Sequence, residues 1–417
     1  MWSLKKLYKK LGPGFITGAS DDDPSGIATY TQVGAQFGLK QLWTALLMLP
    51  FMIAIQEMIA RVTMVAGQAL TAIMRRHYPR WIVWIVVLMI FLVNTINIGA
   101  NLGAMADATK LILPDVPFVI YLIGYSLLIL FLEIFLTYKT YAKVLKWLAF
   151  SLFSYMITAF IVTTDWGEVL YRAIVPTLEI NRNFILAIVA VFGTTISPYL
   201  FFWQSNEEIE EEIVQGRKTI AERKGATKTE IKDMRMDVSI GMIFSNLMTF
   251  FIITTAAMTF FKRGITDIQS SAMAAQALEP LAGKFASLIF AVGIIGTGLL
   301  AVPVLSATAS YALAEAFGWK SGLYKKLREA HGFYGAITLS TLVGLIMNFT
   351  GINPIKLLFY TAVLNGIIAP FLIAVIIHIA NNKKIMGKHR NGIISNLLGL
   401  TLLIFMTLAV IMLFAIQ

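Results

Sequence analysis

The 417-residue chain contains no cysteine. That excludes disulfides, thiolate metal sites and cysteine nucleophiles. Histidine is nearly as scarce: the four are His77, His331, His378 and His389. All fall in expected loops or near expected helix ends, so no histidine relay crosses the middle of a membrane. Charged residues make up 14% of the chain, against roughly 25% in an ordinary globular domain. Acids are the scarcer sign, 23 against 34 Lys and Arg, for a net charge of +11. Such an excess could point to nucleic acid. Here the basic residues sit in short segments between apolar runs, which is a membrane-orientation pattern and excludes that partner.

What the chain has instead is apolar length. It is 58% hydrophobic, with a mean hydropathy of +0.75. Runs of about 20 residues recur from end to end, each long enough to cross a ~30 Å hydrocarbon core as a helix. Eleven spans are expected, at 12–36, 41–67, 80–107, 115–137, 141–164, 183–211, 236–261, 282–316, 333–351, 354–380 and 391–416. The longer loops are 165–182, 212–235 and 262–280. The start "MWSLKKLYKKLGPGF" resembles a signal peptide, but the run that follows lacks a cleavage site and holds three acids; it is expected to stay as the first helix. The bilayer is the one partner that the composition requires.

Lys and Arg set the orientation. With the N-terminus cytoplasmic, one side collects Lys5, Lys6, Lys9, Lys10, Arg75, Arg76, Lys143, Lys146, Arg217, Lys218, Lys325, Lys326, Lys383 and Lys384. The other side holds a handful, including Lys40, Lys110 and Arg172. An odd number of spans then leaves the C-terminus extracellular.

Two spans are interrupted. The first contains "DDDPSG", with Asp21, Asp22 and Asp23 before Pro24; the sixth contains "GTTISPYLFF", with Pro198 in its middle. Proline removes a donor and clashes with the preceding turn. The freed carbonyls cannot be satisfied by lipid, so such breaks line a protein-enclosed cavity. The breaks lie five spans apart. Five is odd, so a five-span repeat would be inverted, and paired broken helices mark a transporter site at the midplane. An ionised Asp23 there costs several kcal/mol unless a cation offsets it. Asp23 also has the chemistry of a helix N-cap. Thr194 and Ser197 offer a carbonyl or hydroxyl at the second break. Asp21, Asp22, Tyr199, Asn97 and Asn365 are expected around the site, with Asn101 as a further polar candidate.

These motifs resemble a known family. "GPGFITGASDDDPSG" is similar to the first helix of the NRAMP divalent-metal transporters, whose motif is Asp-Pro-Gly-Asn. "QEMIARVTMVAGQAL" (56–70) resembles the end of their second helix, "FGTTISPYLFF" their sixth-helix Met-Pro-His region, and "IFAVGIIGTGLLA" their eighth helix. The resemblance implies an all-α integral membrane protein of LeuT-type fold: two inverted five-helix repeats, 12–164 and 183–380, plus an eleventh transmembrane helix at 391–416. It implies a transporter, not an enzyme, with no cofactor and no obligatory protein partner. By the same alignment Asp23, Gly26, Thr194 and Ser197 hold the metal.

The departures from the family pattern carry information. Gly26 stands where the family has Asn, Ser197 where it has a metal-coordinating Met, and Tyr199 and Gln204 where it has histidines. Asn97 and Ala100 align with an Asp and a Glu thought to move protons, and Ala362 with a Gln that helps close the site. The changes resemble the NRAMP-related magnesium transporters, a branch described as lacking proton coupling. Thioether ligands favour transition metals, whereas an all-oxygen site suits a hard cation such as Mg²⁺, which keeps several waters. Smaller residues at 26, 197 and 362 leave room for them. The expected cargo is therefore Mg²⁺, partly hydrated and without proton coupling. The alternatives are Mn²⁺ or another transition metal, an organic amine, or a non-transporting sensor.

Three further acidic features have plainer expectations. The run "NEEIEEE" (206–212) reads as a solvated helix end paired with Arg217 and Lys218. Glu57 and Arg61 read as a structural i,i+4 pair. Glu133, late in the fourth span, is expected to reach the cytoplasmic interface.

Overall fold

The computed structural model describes residues 12–135, 152–163 and 165–416. The basic residues at 5, 6, 9, 10, 143 and 146, and the start of the 141–164 span, lie outside them. Among the described residues thirteen α-helices lie mainly within the expected spans. In chain order they are α1 (Pro13–Asp21), α2 (Pro24–Phe37), α3 (Trp43–Ala66), α4 (Arg80–Thr109), α5 (Phe118–Phe135), α6 (Phe153–Val162), α7 (Arg182–Thr195), α8 (Pro198–Val214), α9 (Lys228–Thr259), α10 (Ala286–Phe317), α11 (His331–Met347), α12 (Pro354–Asn381) and α13 (Ile393–Ala415).

Among the described residues nine helices or joined helices are long and apolar enough to cross a membrane, α7 and α8 being joined as Arg182–Val214. The broken pair α1–α2 and the ten-residue α6 occupy the other two expected spans. Ten of the expected spans thus correspond to helical segments, and the described part of 141–164 is helical as well. The three longer loops are not bare. They carry short helices at Trp166–Ile174, Ile220–Arg223 and Ser271–Ala275, each with a side-chain N-cap: Asp165, Thr219 and Ser270. Local capping satisfies the first free N–H groups where no apolar periodicity announces a helix.

The broken spans sit at the centre. In Arg182–Val214, 94% of the most apolar eighteen-residue stretch is buried, against 22% in α13 and 28% in α5. A helix that is apolar yet exposed faces lipid; one that is apolar and covered lies inside the bundle. Small residues allow close backbone approach around the centre. A Cβ on Gly18 of α1 would strike the Gly241 main chain of α9, and one on Gly193 of α7 would strike the Ala362 carbonyl and Gly366 of α12.

Two polar expectations need correction. In the 206–212 run Glu207, Glu208, Glu210 and Glu212 are all buried. α8 packs against α1, α3 and α10, so these four acids are not solvated although the helix end at Val214 is exposed; the pairing with Arg217 survives only as a 3.7 Å contact to Glu212. Glu133 does not reach the protein surface. It is buried in the bundle, where Ser306 of α10 donates to its Oε1 at 2.5 Å. Glu57 and Arg61 pair as expected, at 2.9 Å from Arg61 Nε to Oε1, and Arg235 Nε joins the same oxygen at 2.9 Å.

Candidate functional site at the two helix breaks

Both breaks end one half-helix and start another with proline. Pro24 opens α2 and Pro198 opens α8. Proline suits the first turn of a helix, where its missing N–H would have had no partner. Asp23 is the N-cap of α2: its Oδ1 accepts from the Gly26 N–H at 2.8 Å. Ser197 is the N-cap of α8, yet its side chain makes no capping bond. Its hydroxyl is buried with no hydrogen-bond partner among the described residues.

All three aspartates are buried, with 1% or less of their surface exposed. They differ in their contacts. Asp23 Oδ2 accepts from Asn101 Nδ2 at 3.4 Å. Asp21 accepts from the Ser245 hydroxyl of α9, and its Oδ1 has no partner among the described residues. Both oxygens of Asp22 are buried and unpartnered among them. Buried polar atoms in folded proteins normally find partners. Five buried oxygens in this region have no partner among the described residues: Asp21 Oδ1, both of Asp22, Ser197 Oγ and Asn101 Oδ1.

The breaks are tied directly to each other. Tyr199 of α8 donates its hydroxyl to the Ser20 carbonyl at 2.8 Å, satisfying one of the carbonyls freed where α1 ends. Tyr30 of α2 and Thr195 of α7 exchange a hydroxyl bond at 2.7 Å. Between these bridges Gly26 faces Thr194: a Cβ built on Gly26 would lie 3.6 Å from Thr194 Oγ1 and 3.2 Å from the Asp21 carbonyl oxygen. Gly26 contributes its N–H to Asp23, and a Cβ there would press on the Asp21 carbonyl and the Tyr30 ring, so the position is closely packed.

α4 supplies the third wall. Asn101 Nδ2 also contacts the Asn97 carbonyl at 2.9 Å and Asn97 Oδ1 at 3.1 Å. Thr361 of α12 donates to the same Oδ1 at 3.3 Å. A chain of neutral side chains therefore runs from Asp23 through Asn101 and Asn97 to α12. Asn365, one turn beyond Thr361, is buried on that helix. Among the described residues no group of three or more His, Asp or Glu side chains is placed to hold a metal ion. Any cation at the breaks would meet carboxylate, hydroxyl, carbonyl and amide oxygens, not an all-acid cage.

The structure thus brings Asp21, Asp22, Asp23, Gly26, Asn97, Thr194, Ser197 and Tyr199 into one buried region. It adds Tyr30, Thr195, Ser245 and Thr361, which the sequence reading passed over. Tyr30 had a signal, because Asp23, Gly26 and Tyr30 are spaced i, i+3, i+7 on one helix face. Ser245 and Thr361 had none, being single hydroxyls inside apolar runs.

The comparisons agree with this architecture. Residues 14–415 match the model of the Nramp family, described as natural resistance-associated macrophage protein-like. A protein of Caldanaerobacter subterraneus subsp. tengcongensis, named divalent metal cation transporter MntH, is 25% identical over 405 residues, covering 95% of this chain and 90% of its own. Its namesake in Pectobacterium carotovorum subsp. carotovorum is 26% identical over 407 residues, covering 94% and 90%. Among solved structures, the Eremococcus coleocola manganese transporter superposes with a TM-score of 0.75 at 17% identity, over 97% of this chain and 86% of that one. Mhp1, a nucleobase-cation-symport-1 family transporter, superposes at 0.63 with 14% identity, over 97% and 89%. The fold is the LeuT-type transporter fold, in a multi-pass integral membrane protein. The family match over almost the whole length identifies this chain as a member of the Nramp family.

Proposed function

We propose that this protein moves divalent metal cations across the cell membrane, with Mg²⁺ as the preferred cargo and no obligatory proton coupling. The observation that carries the proposal is the unequal chemistry of the two breaks: a buried carboxylate at Asp23 in one and, in the other, a neutral hydroxyl at Ser197 without a partner among the described residues. One carboxylate with neutral oxygens is a donor set for a hard cation that retains water. Asp23 supplies the charge; Ser197, Thr194 and the carbonyls around Gly26 supply neutral oxygens. Asp21, Asp22, Tyr199, Asn97 and Asn365 hold the waters and the surrounding polar groups.

Movement follows from the breaks. Residues 12–164 and 183–380 form two inverted five-helix repeats, with 391–416 as an added helix; the N-terminus is cytoplasmic and the C-terminus extracellular. Two cavities support alternating access. One of about 170 Å³ is bordered by Gln32 of α2, Asn183 at the start of α7 and Tyr360 of α12. Another of about 540 Å³ lies at the far end of α8, beside Asn206 and Glu210. α7 begins and α8 ends on opposite sides of the broken span, so the cavities approach the breaks from opposite faces.

Independence from protons rests on side chains. Asn97, Ala100, Tyr199 and Gln204 occupy the positions the family resemblance links to proton movement, and none titrates near neutral pH. The membrane potential suffices as a driving force: 100 mV is worth about 2.3 kcal/mol per charge, twice that for a divalent ion.

A second reading, transport of Mn²⁺, is favoured by the name of the Eremococcus coleocola relative, a manganese transporter. Flux into proteoliposomes decides between them. Mg²⁺, Mn²⁺ and Ca²⁺ are offered in parallel under an inside-negative potential, with a pH dye in the lumen. The expected result is Mg²⁺ entry at neutral lumenal pH. Mn²⁺ entry indifferent to excess Mg²⁺ would overturn the preference. Lumenal acidification that tracks Mg²⁺ and disappears in Asp23→Ala would overturn the absence of coupling.

A further inference from the structure

One face of α8 connects the breaks to the larger cavity. Tyr199, Trp203, Asn206 and Glu210 recur at i, i+4, i+7 and i+11, so they lie in one stripe. Tyr199 touches the first break through the Ser20 carbonyl. Trp203 comes next and is fully buried. Beyond it Asn206 and Glu210 line the 540 Å³ cavity, across from Tyr311 and Glu315 of α10. At 1.5 Å per residue, Glu210 lies roughly 16 Å along the helix from Tyr199. Trp203 thus lies on this stripe between the broken region and a large polar space.

Glu210 is unusual among the groups there. It is 2% exposed. Its Oε1 accepts from the Leu323 N–H at 2.8 Å and from the Tyr311 hydroxyl. Its Oε2 is buried with no hydrogen-bond partner among the described residues. Asn206 gives its amide nitrogen to the Phe202 carbonyl at 2.8 Å, so the amide oxygen is what it offers to a cation. Glu315 takes the Ala72 N–H at 3.1 Å through Oε2. These are carboxylate and amide acceptors around one cavity, and a buried acceptor without a donor is costly.

The arginines that also line the cavity are directed elsewhere. Arg223 donates to the main-chain oxygens of Gly67, Arg217 and Lys218 at 3.3, 3.1 and 2.8 Å. Arg75 donates to the Glu315 carbonyl at 3.2 Å. Arg76 is exposed. Their charge lowers the affinity of the cavity for a cation without occupying Glu210 Oε2.

We propose that Glu210, Asn206 and Glu315 form a second, low-affinity divalent-cation site, occupied after the ion passes Trp203 and before it leaves the protein. The site rests on the transport reading above. Three protein oxygens leave most of the coordination to water, as Mg²⁺ prefers. Weak binding is what a release site needs: strong enough to draw the ion in, weak enough to let it go.

The test uses the purified full chain in detergent, with Mn²⁺ as a paramagnetic probe and Mg²⁺ as competitor. Two classes of bound Mn²⁺ are expected. The tighter one disappears in Asp23→Ala. The weaker one loses at least about tenfold in affinity in Glu210→Gln, because a retained-water site depends on its carboxylate charge. Arg76→Gln should tighten the weaker class about threefold by removing a nearby positive charge. The exposed position of Arg76 makes that variant a probe that does not disturb folding. A weaker class that survives Glu210→Gln in folded protein, or ignores Arg76→Gln, overturns the cavity site while leaving the transport reading intact. A tighter class that survives Asp23→Ala overturns the transport reading, and with it the release role.

Discussion

The two breaks use one backbone device and opposite side-chain chemistry. Each places proline at the first position of the second half-helix. At the first, the N-cap side chain is engaged: Asp23 holds the Gly26 N–H at 2.8 Å and still presents a second oxygen. At the second, the N-cap hydroxyl of Ser197 holds nothing among the described residues. A helix start normally draws its cap inward. Leaving Ser197 uncommitted keeps a neutral oxygen available where the chain bends. The lesson is a division of labour: one break carries charge and is locally capped, while the other carries neutral donors and is tied to the first by the Tyr199–Ser20 and Tyr30–Thr195 bonds.

The largest test of that division removes the charge. Asp23→Ala should lower cation uptake by at least about 100-fold, since an intramembrane carboxylate is the main electrostatic attraction for the ion. Uptake into proteoliposomes at the normal rate would end the distinction between the breaks.

Selectivity comes next. Ser197→Met should shift the Mn²⁺/Mg²⁺ affinity ratio toward Mn²⁺ by about tenfold, because a thioether is a soft ligand and displaces retained water. Isothermal titration of both ions on both proteins measures it; an unchanged ratio would place Ser197 away from the ion.

A smaller effect is expected from the bridge. Tyr199→Phe deletes the hydroxyl bond to Ser20 and should reduce stability by about 1 kcal/mol or somewhat more, since it leaves a buried carbonyl without that donor. Thermal unfolding in detergent reads this out. No change would mean that the breaks are held by packing alone.

The smallest effect sharpens the contrast most. Replacing a serine cap by alanine usually costs about 0.5–2 kcal/mol. Ser197→Ala should cost less than about 0.5 kcal/mol, because no capping bond is lost. A full capping penalty would show that the hydroxyl does cap α8 in solution.

Much of this arrangement was legible before any coordinates. The spans were visible because lipid demands about 20 apolar residues per crossing. The breaks were visible because proline after Asp23 and after Ser197 cannot continue a helix. Spacing along the chain was what suggested that the two act together. The acids of α8 were misread for a physical reason. "NEEIEEE" has the composition of a solvated end, yet whether a helix face meets water depends on what other helices cover it. The same holds for Glu133, whose partner Ser306 lies 173 residues away. Composition cannot report a partner at that distance.

The sequence by itself determined that this is a helical membrane protein, where its central helices break and which break carries charge. These are local properties, set by side-chain hydrophobicity, by proline and by the placing of three aspartates. Only the tertiary structure decided that Tyr199 reaches Ser20, that Ser245 pairs with Asp21, that Asn101 leads from Asp23 to Asn97, and that Glu210 meets Tyr311 and Leu323 beside a cavity. Each joins residues distant in sequence. Their meeting is fixed by how helices pack, in an interior where every polar atom must find a partner or stand as a reason for a ligand.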